Sequence, residues 1–477
     1  MPTPTRLVPG AGRAAPGIRR LPPAELPAPA VQAPAAERLP APDGGPGVLA
    51  APPPVENAAT ETVPLDLVER LQAVERALVD TRRQLNDAVN APSLPEIPFP
   101  RVRLIGEMQT DLAQFSQDPL NKAVVGDAQN GIDFRRARLA AIGQTTEFTD
   151  FRLELDFVEP GHPQLLDAYF SQYSLPVLGN LRVGHFFEPF CMSRIVDNRF
   201  DIFMERPLLT VFAPARRTGV MSFGVSDDLR STWAVSIYAS ADNFIGGNLT
   251  DVGGWAGAGR VTWLPYYDEA SCGRNYLHLG AAYSFSGVSN HQLEFSTAPE
   301  LQLISGNNFE PIFLDTGVIN AQQYQLFGTE FIWTAGPWSV QSEYVWVPID
   351  PVGGPTATLQ GAYVMGSYFL TGEHRPYDRT IGNFTRVIPY EDFFRLRGPN
   401  RFRGGTGAWQ VAGRWSYLNF NGGDIRAGVL NDLTFGVNWY WNPFVRLYFN
   451  YVHAILDNEF VGTSQADAFG LRFQLDF

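Results

Sequence analysis

Phe469-Gly470-Leu471-Arg472-Phe473-Gln474-Leu475-Asp476-Phe477 closes the chain, with an apolar residue at every second position. Side chains of a β-strand point alternately to opposite faces. The stretch therefore has one face of Phe469, Leu471, Phe473, Leu475 and Phe477 and another of Arg472, Gln474 and Asp476. The same period recurs upstream. Phe435, Val437, Trp439 and Trp441 alternate with Thr434, Gly436 and Asn438, and Trp338, Val340, Tyr344 and Trp346 with Gln341 and Glu343. Phe151, Leu153, Leu155 and Phe157 alternate with Arg152, Glu154 and Asp156, and Val102, Leu104, Met108 and Leu112 with Arg103, Glu107 and Asp111.

Alternation alone fits a soluble sandwich as well as a membrane barrel. Three features favour the barrel. The runs are about 9–12 residues long, enough for a tilted strand to cross a bilayer. Aromatic residues gather at strand ends, as in Trp439-Tyr440-Trp441 and Phe449-Asn450-Tyr451, which suits interfacial girdles. Tight turns at Ala335-Gly336-Pro337 and Trp441-Asn442-Pro443 are separated by longer connections. The reading is an all-β transmembrane antiparallel β-barrel of about 16 strands over residues 101–477, from 101–113 to 467–477. An even number brings both ends of the barrel to one side. Three long segments remain between strands: 187–217, 287–321 and 372–406.

Two regions precede the barrel. Residues 1–64 are rich in Pro and Ala, a composition that stays extended and buries no core, so they read as a disordered linker. Residues 65–91 read as a coiled-coil helix, because Leu67, Leu71, Val74, Leu78, Thr81, Leu85 and Ala88 follow a heptad seam. No apolar block of a secretory signal is visible in residues 1–20.

Composition excludes other classes. Charged residues are 18% and aromatic residues 13% of the 477, too little charge and too many rings for a disordered chain. A net charge of −13 argues against nucleic acid as a partner. Lys122 is the single lysine, which leaves no candidate for a Schiff-base or phosphate-loop lysine. Cys191 and Cys272 form no metal-ligand spacing, and no two of the 6 histidines stand at i, i+2 or i, i+4. The glycines between 253 and 259 lack a following helix that would make them a phosphate loop. No catalytic set, metal site or cofactor is expected.

Several segments together carry a family resemblance: Phe134-Arg135-Arg136-Ala137-Arg138-Leu139; Leu181-Arg182-Val183-Gly184-His185-Phe186-Phe187-Glu188-Pro189-Phe190; Phe203-Met204-Glu205-Arg206; Phe212-Ala213-Pro214-Ala215-Arg216; Leu370-Thr371-Gly372-Glu373-His374-Arg375-Pro376-Tyr377; Asn450-Tyr451-Val452-His453; and the terminal Arg472 to Phe477. In this order they resemble the phosphate-selective porin O and P family. The resemblance implies a trimeric sixteen-stranded porin of the bacterial outer membrane with loops folded into each pore. It also implies an N-terminal coiled coil, placed in the periplasm with the Pro-rich arm. Terminal Phe477 resembles the aromatic signal read by barrel-assembly machinery. In the relatives, lysines on the third long loop help to bind phosphate. Here 187–217 contains none, so arginine would have to take that part.

A porin works through a wet lumen, a constriction and the charge pattern there. The period-two phase puts Arg136, Arg138, Arg152 and Arg182 on the polar face. The Arg135-Arg136 pair comes from the family motif, and Arg206, Arg216 and Arg217 lie on the candidate constriction 187–217. These eight arginines are the candidate anion-binding, pore-lining residues. Acids including Glu107, Asp111, Glu154, Asp156 and Asp167 share the polar face, so two roles stay open: ion pairs bracing the wall, or a track that attracts anions. Segment 372–406, with seven arginines, falls on the periplasmic side by strand count and is expected to fold into or across the lower mouth. The expected function is passive diffusion of small solutes, anions such as phosphate, with outer-membrane lipid, small anions and two further copies of the chain as partners. The alternative is a structural tether that uses the Pro-rich arm and coiled coil, with an incidental or plugged pore.

Overall fold

A computed structural model describes residues 99–159, 161–240, 254–303, 311–394, 396–397 and 402–477. The Pro-rich and coiled-coil readings of 1–64 and 65–91 lie outside the described residues.

Sixteen long strands follow one another along the chain. The first eight are β1 (Arg101–Gln117), β2 (Gly131–Thr146), β3 (Thr149–Asp156), β4 (Gln164–Leu175), β5 (Gly179–Phe187), β6 (Arg216–Val225), β7 (Ser231–Ala239) and β8 (Trp255–Tyr267). The others are β9 (Asn275–Gly287), β10 (Ile319–Ala335), β11 (Trp338–Pro351), β12 (Ala357–Phe369), β13 (Ala408–Gly422), β14 (Ile425–Asn442), β15 (Val445–Asn458) and β16 (Gly462–Asp476). Each pairs antiparallel with its neighbours, and β16 returns to β1 in the register Glu107↔Asp476 to Gln117↔Ala466. Phe477 extends the seam, because its N–H and C=O exchange 3.0 Å bonds with Gly106. Closure leaves no sheet edge, so every strand has a partner on both sides. The strand count and the evenness read from sequence both hold.

The wall is inverted relative to a soluble protein. Asp111, Asp432, Thr434, Asn438, Asn450 and Arg472 face inward and are buried. Trp333, Trp346, Phe449, Phe473 and Leu475 face outward and are exposed, Phe435 by 58%. An apolar belt of that extent in water would drive aggregation; against lipid tails it is at home. Among the described residues no helix is long and apolar enough to cross a membrane.

Connection lengths depart from the expected alternation in one respect. At the end opposite Phe477, the last two connections are tight, at 423–424 and 459–461. Gly423 (φ 57°) and Gly462 (φ 99°) supply the left-handed backbone that such turns need. The longest connection, 370–407, lies at the end that carries Arg101 and Phe477. It turns into the barrel mouth as expected from sequence. Tyr377 Oη meets His278 Nδ1 at 2.7 Å, Arg260 Nη2 donates to the Gly382 carbonyl at 3.1 Å, and Arg379 Nε donates to the Leu229 carbonyl at 3.1 Å.

An outward charge tests this inversion. Phe435→Arg should cost about 2–4 kcal/mol in lipid vesicles, the range for arginine near the middle of a barrel's lipid face. Urea unfolding from vesicles reads the cost; a loss under half a unit would mean that Phe435 does not face lipid.

Candidate functional site

The chain between β5 and β6, residues 188–215, crosses the barrel interior instead of projecting from it. Arginines of the far wall hold its backbone: Arg446 Nη1 donates to the Asp201 carbonyl at 2.7 Å, and Arg414 Nη2 to the Glu205 carbonyl at 3.0 Å. Arg472 Nη1 donates to the Met204 carbonyl. Wall Arg138 Nη1 likewise donates to Asn198 Oδ1 at 2.7 Å, and in the other direction the loop's Ser193 N–H donates to Glu343 at 2.9 Å. The loop's apolar side chains sit in notches where wall strands carry glycine. A Cβ built on Gly361 would lie 2.9 Å from Leu209, one on Gly436 3.0 Å from Phe203, and one on Gly328 3.1 Å from Phe190. Larger residues there would push the loop off the wall.

A second loop folds inward between β9 and β10. Glu300 on it is 2% exposed. Its carboxylate accepts from Arg414 Nε at 2.8 Å, Thr434 Oγ1 at 2.7 Å and the Leu208 N–H at 3.0 Å. Glu300 thus ties the two inward loops to each other and to the wall.

Most of the candidate arginines brace. Arg138 Nε donates to Asp156 at 2.8 Å; Arg152 pairs with Glu154 at 2.8 Å and Asp167 at 3.1 Å; Arg216 pairs with Asp167 at 2.9 Å. Arg217 Nη1 donates to the Arg216 carbonyl at 3.3 Å. Arg182 donates to Ser171 Oγ at 3.1 Å and lies over the Tyr169 ring at 4.1 Å, with no carboxylate within ion-pair distance among the described residues. Arg135 owes its place to a β-bulge. Gln109 pairs with Arg136 and Thr110 with Phe134, which leaves Arg135 as the extra residue. Counted back from inward-facing Arg136, strict alternation would put Arg135 on the lipid face; the bulge re-aims it inward, where it grips Glu205 at 2.9 and 3.0 Å.

Two cavities lie to either side of the crossing loop. One, of about 520 Å³, is lined by Arg135, Arg136, Arg194 and Arg206 with Glu205 and Glu300. The other, of about 440 Å³, is lined by Arg152, Arg182, Arg216 and Arg260 with several aromatic rings. The first stands out because the Nε atoms of Arg136, Arg194 and Arg206 are buried without a hydrogen bond, Arg206 Nε having only the Asp201 carboxylate at 3.8 Å. Arg136 has its Gln109 contact at 2.6 Å, and Arg206 donates to the Val196 carbonyl at 2.9 Å. Burial, reinforced by neighbouring Arg206, pulls Arg194 down to about 9. Burial pushes the Asp201 carboxyl up to about 6 against the pull of Arg206 and Arg136. Burial also raises Glu205, but Arg135, Arg472 and Arg136 overcome it and hold that carboxyl well below the usual range.

Of the eight candidate arginines, Arg135, Arg136 and Arg206 line this cavity; Arg194, Glu205 and Glu300, which also line it, are not among the residues selected from sequence. Arg194 and Glu205 were visible as charges on the long loop; nothing in their spacing marked which would meet the wall. Glu300 lies in a segment with no arginine between 275 and 374, so no local charge pattern pointed to it.

Residues 102–477 match the family model described as phosphate-selective porin O and P. Porin O of Pseudomonas aeruginosa is 24% identical over 417 residues, covering 79% of this chain and 88% of that one. An uncharacterized protein of Caulobacter vibrioides is 25% identical over 397 residues, covering 78% of this chain and 73% of that one. Among solved structures, the anion-selective porin from Comamonas acidovorans aligns with a TM-score of 0.47 at 11% identity, over 79% of this chain and all of that one.

The pair that anchors the crossing loop has a measurable signature. Arg472 is 1% exposed and Asp111 0%. Arg472→Met strands the Asp111 carboxylate, at a cost of roughly 3–5 kcal/mol. Arg472→Met with Asp111→Leu should recover most of it. Unfolding of the single and double variants in vesicles decides; equal losses in both would show that the pair is not what anchors the wall.

Proposed function

Because the chain belongs to the phosphate-selective porin O and P family, and is thus an outer-membrane channel for small solutes, we propose that it prefers small oxyanions such as phosphate and detains them in the 520 Å³ cavity. The observation that carries this is the cluster of three unsaturated Nε groups on Arg136, Arg194 and Arg206. An unmet buried donor costs about 1–3 kcal/mol, and an oxyanion supplies acceptors to several at once. The guanidinium fork fits two oxygens, so arginine can do here what lysine does on the corresponding loop of the relatives. Arg135 acts differently: committed to Glu205, it positions the loop that presents Arg206. Arg138, Arg152, Arg216 and Arg217 keep the lumen wall rigid and set the field around the path. The net charge of −13 does not oppose this, because screening over ~8–10 Å leaves the local pattern in control.

The barrel end that carries Arg101 and Phe477 faces the periplasm in this reading, with the N-terminal arm on that side. The channel is a homotrimer. Support comes from the uneven wall: β3, β5 and β7 have 8, 9 and 9 residues, whereas β14 has 18. Eight or nine residues tilted by about 45° rise roughly 19–21 Å, the lowest apolar height of the wall, which makes that side the one for another subunit to cover.

Planar-bilayer recording tests the proposal. Conductance steps should arrive in threes, the reversal potential in a KCl gradient should show anion preference, and millimolar phosphate should block chloride current. A silent protein would return the tether alternative; cation preference would refute the oxyanion reading. Removing one charge ~6 Å from the ion path is worth about 0.7 kcal/mol in a water-like medium, so Arg136→Ala should lower the anion-to-cation permeability ratio roughly threefold. An unchanged ratio would remove Arg136 from the site.

Acidity should sharpen the preference. Asp201 sits near 6 and is ionised at pH 7.5; at pH 5 it is protonated, and the crossing loop loses one negative charge. Anion preference should therefore rise as pH falls between these values. Asp201→Asn should hold the high value at both, and a wild type whose preference is flat or falls over this range would contradict the assignment.

A further inference from the structure

The second cavity differs in chemistry from the first. It lies between the crossing loop and the 370–407 segment, and its walls carry Tyr169, Phe186, Phe223 and Phe384. Its charges are mostly spent. Arg152 and Arg216 are neutralised by Glu154 and Asp167, Arg260 by Glu330 at 2.8 Å, and Asp197 by Arg199 Nε at 2.9 Å. Arg182 is the one arginine lining this cavity that has no carboxylate in reach among the described residues. Its guanidinium is set in aromatic rings instead: 4.1 Å from the centroid of Tyr169, 5.2 Å from Phe223 and 5.9 Å from Phe186. Its Nε is used on Ser171 at 3.1 Å, which leaves the two Nη groups as an open fork.

This combination selects against a small hydrated ion. Inorganic phosphate wants donors on every side and would keep its water against the ring faces. A planar carboxylate can instead put two oxygens on the Nη fork and slide its body between rings, where apolar surface leaves water. We propose that this cavity binds an organic anion of the benzoate class, with its carboxylate on Arg182 and its ring among Tyr169, Phe186 and Phe223. The site is separate from the oxyanion cavity, with the crossing loop between them, and its occupancy does not depend on whether the barrel conducts.

Isothermal titration of the full chain, purified in detergent, tests this with benzoate, acetate and inorganic phosphate. Benzoate should bind at least about tenfold more tightly than acetate, and Arg182→Gln should weaken it by roughly tenfold or more, the scale of a charged hydrogen bond. Excess phosphate should leave benzoate affinity unchanged. Tyr169→Leu, which keeps every charge, should weaken benzoate and leave acetate alone. Equal affinity for benzoate and acetate overturns the proposal. So does an Arg182→Gln variant that keeps heat-modifiable migration and full benzoate affinity. Should Arg182→Gln fail to fold, the Tyr169→Leu comparison and displacement by phosphate decide in the same way. A barrel that binds benzoate but passes no current would refute the channel reading alone; one that passes anions but ignores benzoate would refute this inference alone.

Discussion

The grip of Arg472 on Asp111 and Glu205, at 2.6 and 2.8 Å, is the contact on which the rest of the interior depends. It joins the last strand to the first across the closing seam and, in the same guanidinium, fastens the crossing loop. Glu205 passes the connection on to Arg135. Buried charge is costly unless every partner is met, so the group has to be complete or absent. Here Arg472, Asp111, Glu205 and Arg135 pair with one another, and the crossing loop is tied to the wall through them.

That constraint explains why few of the arginines are available to a solute. A closed barrel in lipid sends its polar side chains inward, and a lumen crossed by two loops brings those charges close together. Arg138, Arg152, Arg216, Arg260 and Arg414 are neutralised by Asp156, Glu154, Asp167, Glu330 and Glu300. Of the arginines lining the two cavities, those with no carboxylate at hydrogen-bond distance among the described residues are Arg136, Arg194 and Arg206 on one side of the crossing loop, Arg206 having Asp201 at 3.8 Å, and Arg182 on the other. Of the two roles open from sequence, bracing is taken by Arg138, Arg152 and Arg216, and the proposed anion role falls to the residues left over. The division also separates two environments: partly bonded guanidinium groups in one cavity, a guanidinium among rings in the other.

The wall glycines act together with the charges. Gly328, Gly361 and Gly436 occur at inward positions, where any Cβ would meet Phe190, Leu209 or Phe203. In sequence they read only as weak points of an alternating pattern. In the folded barrel they are the seats of the crossing loop, and the arginine bonds to its backbone complete the attachment.

Period-two alternation, strand length and the girdle residues determined the barrel, its sixteen strands and its inverted polarity, because those follow from the pleat and from the medium on each face. Membership of the polar face followed for Arg136, Arg138, Arg152 and Arg182 by the same parity. Parity could not reveal the bulge that turns Arg135 inward, since one inserted residue shifts the count without leaving a mark in composition. Nor could it tell which arginine would find an acid across the lumen. Arg472 and Glu205 are 267 residues apart and Arg414 and Glu300 114. Only closure of the sheet and the inward path of the two loops bring such residues together, and that is why the tertiary structure alone decided which charges are spent on ion pairs.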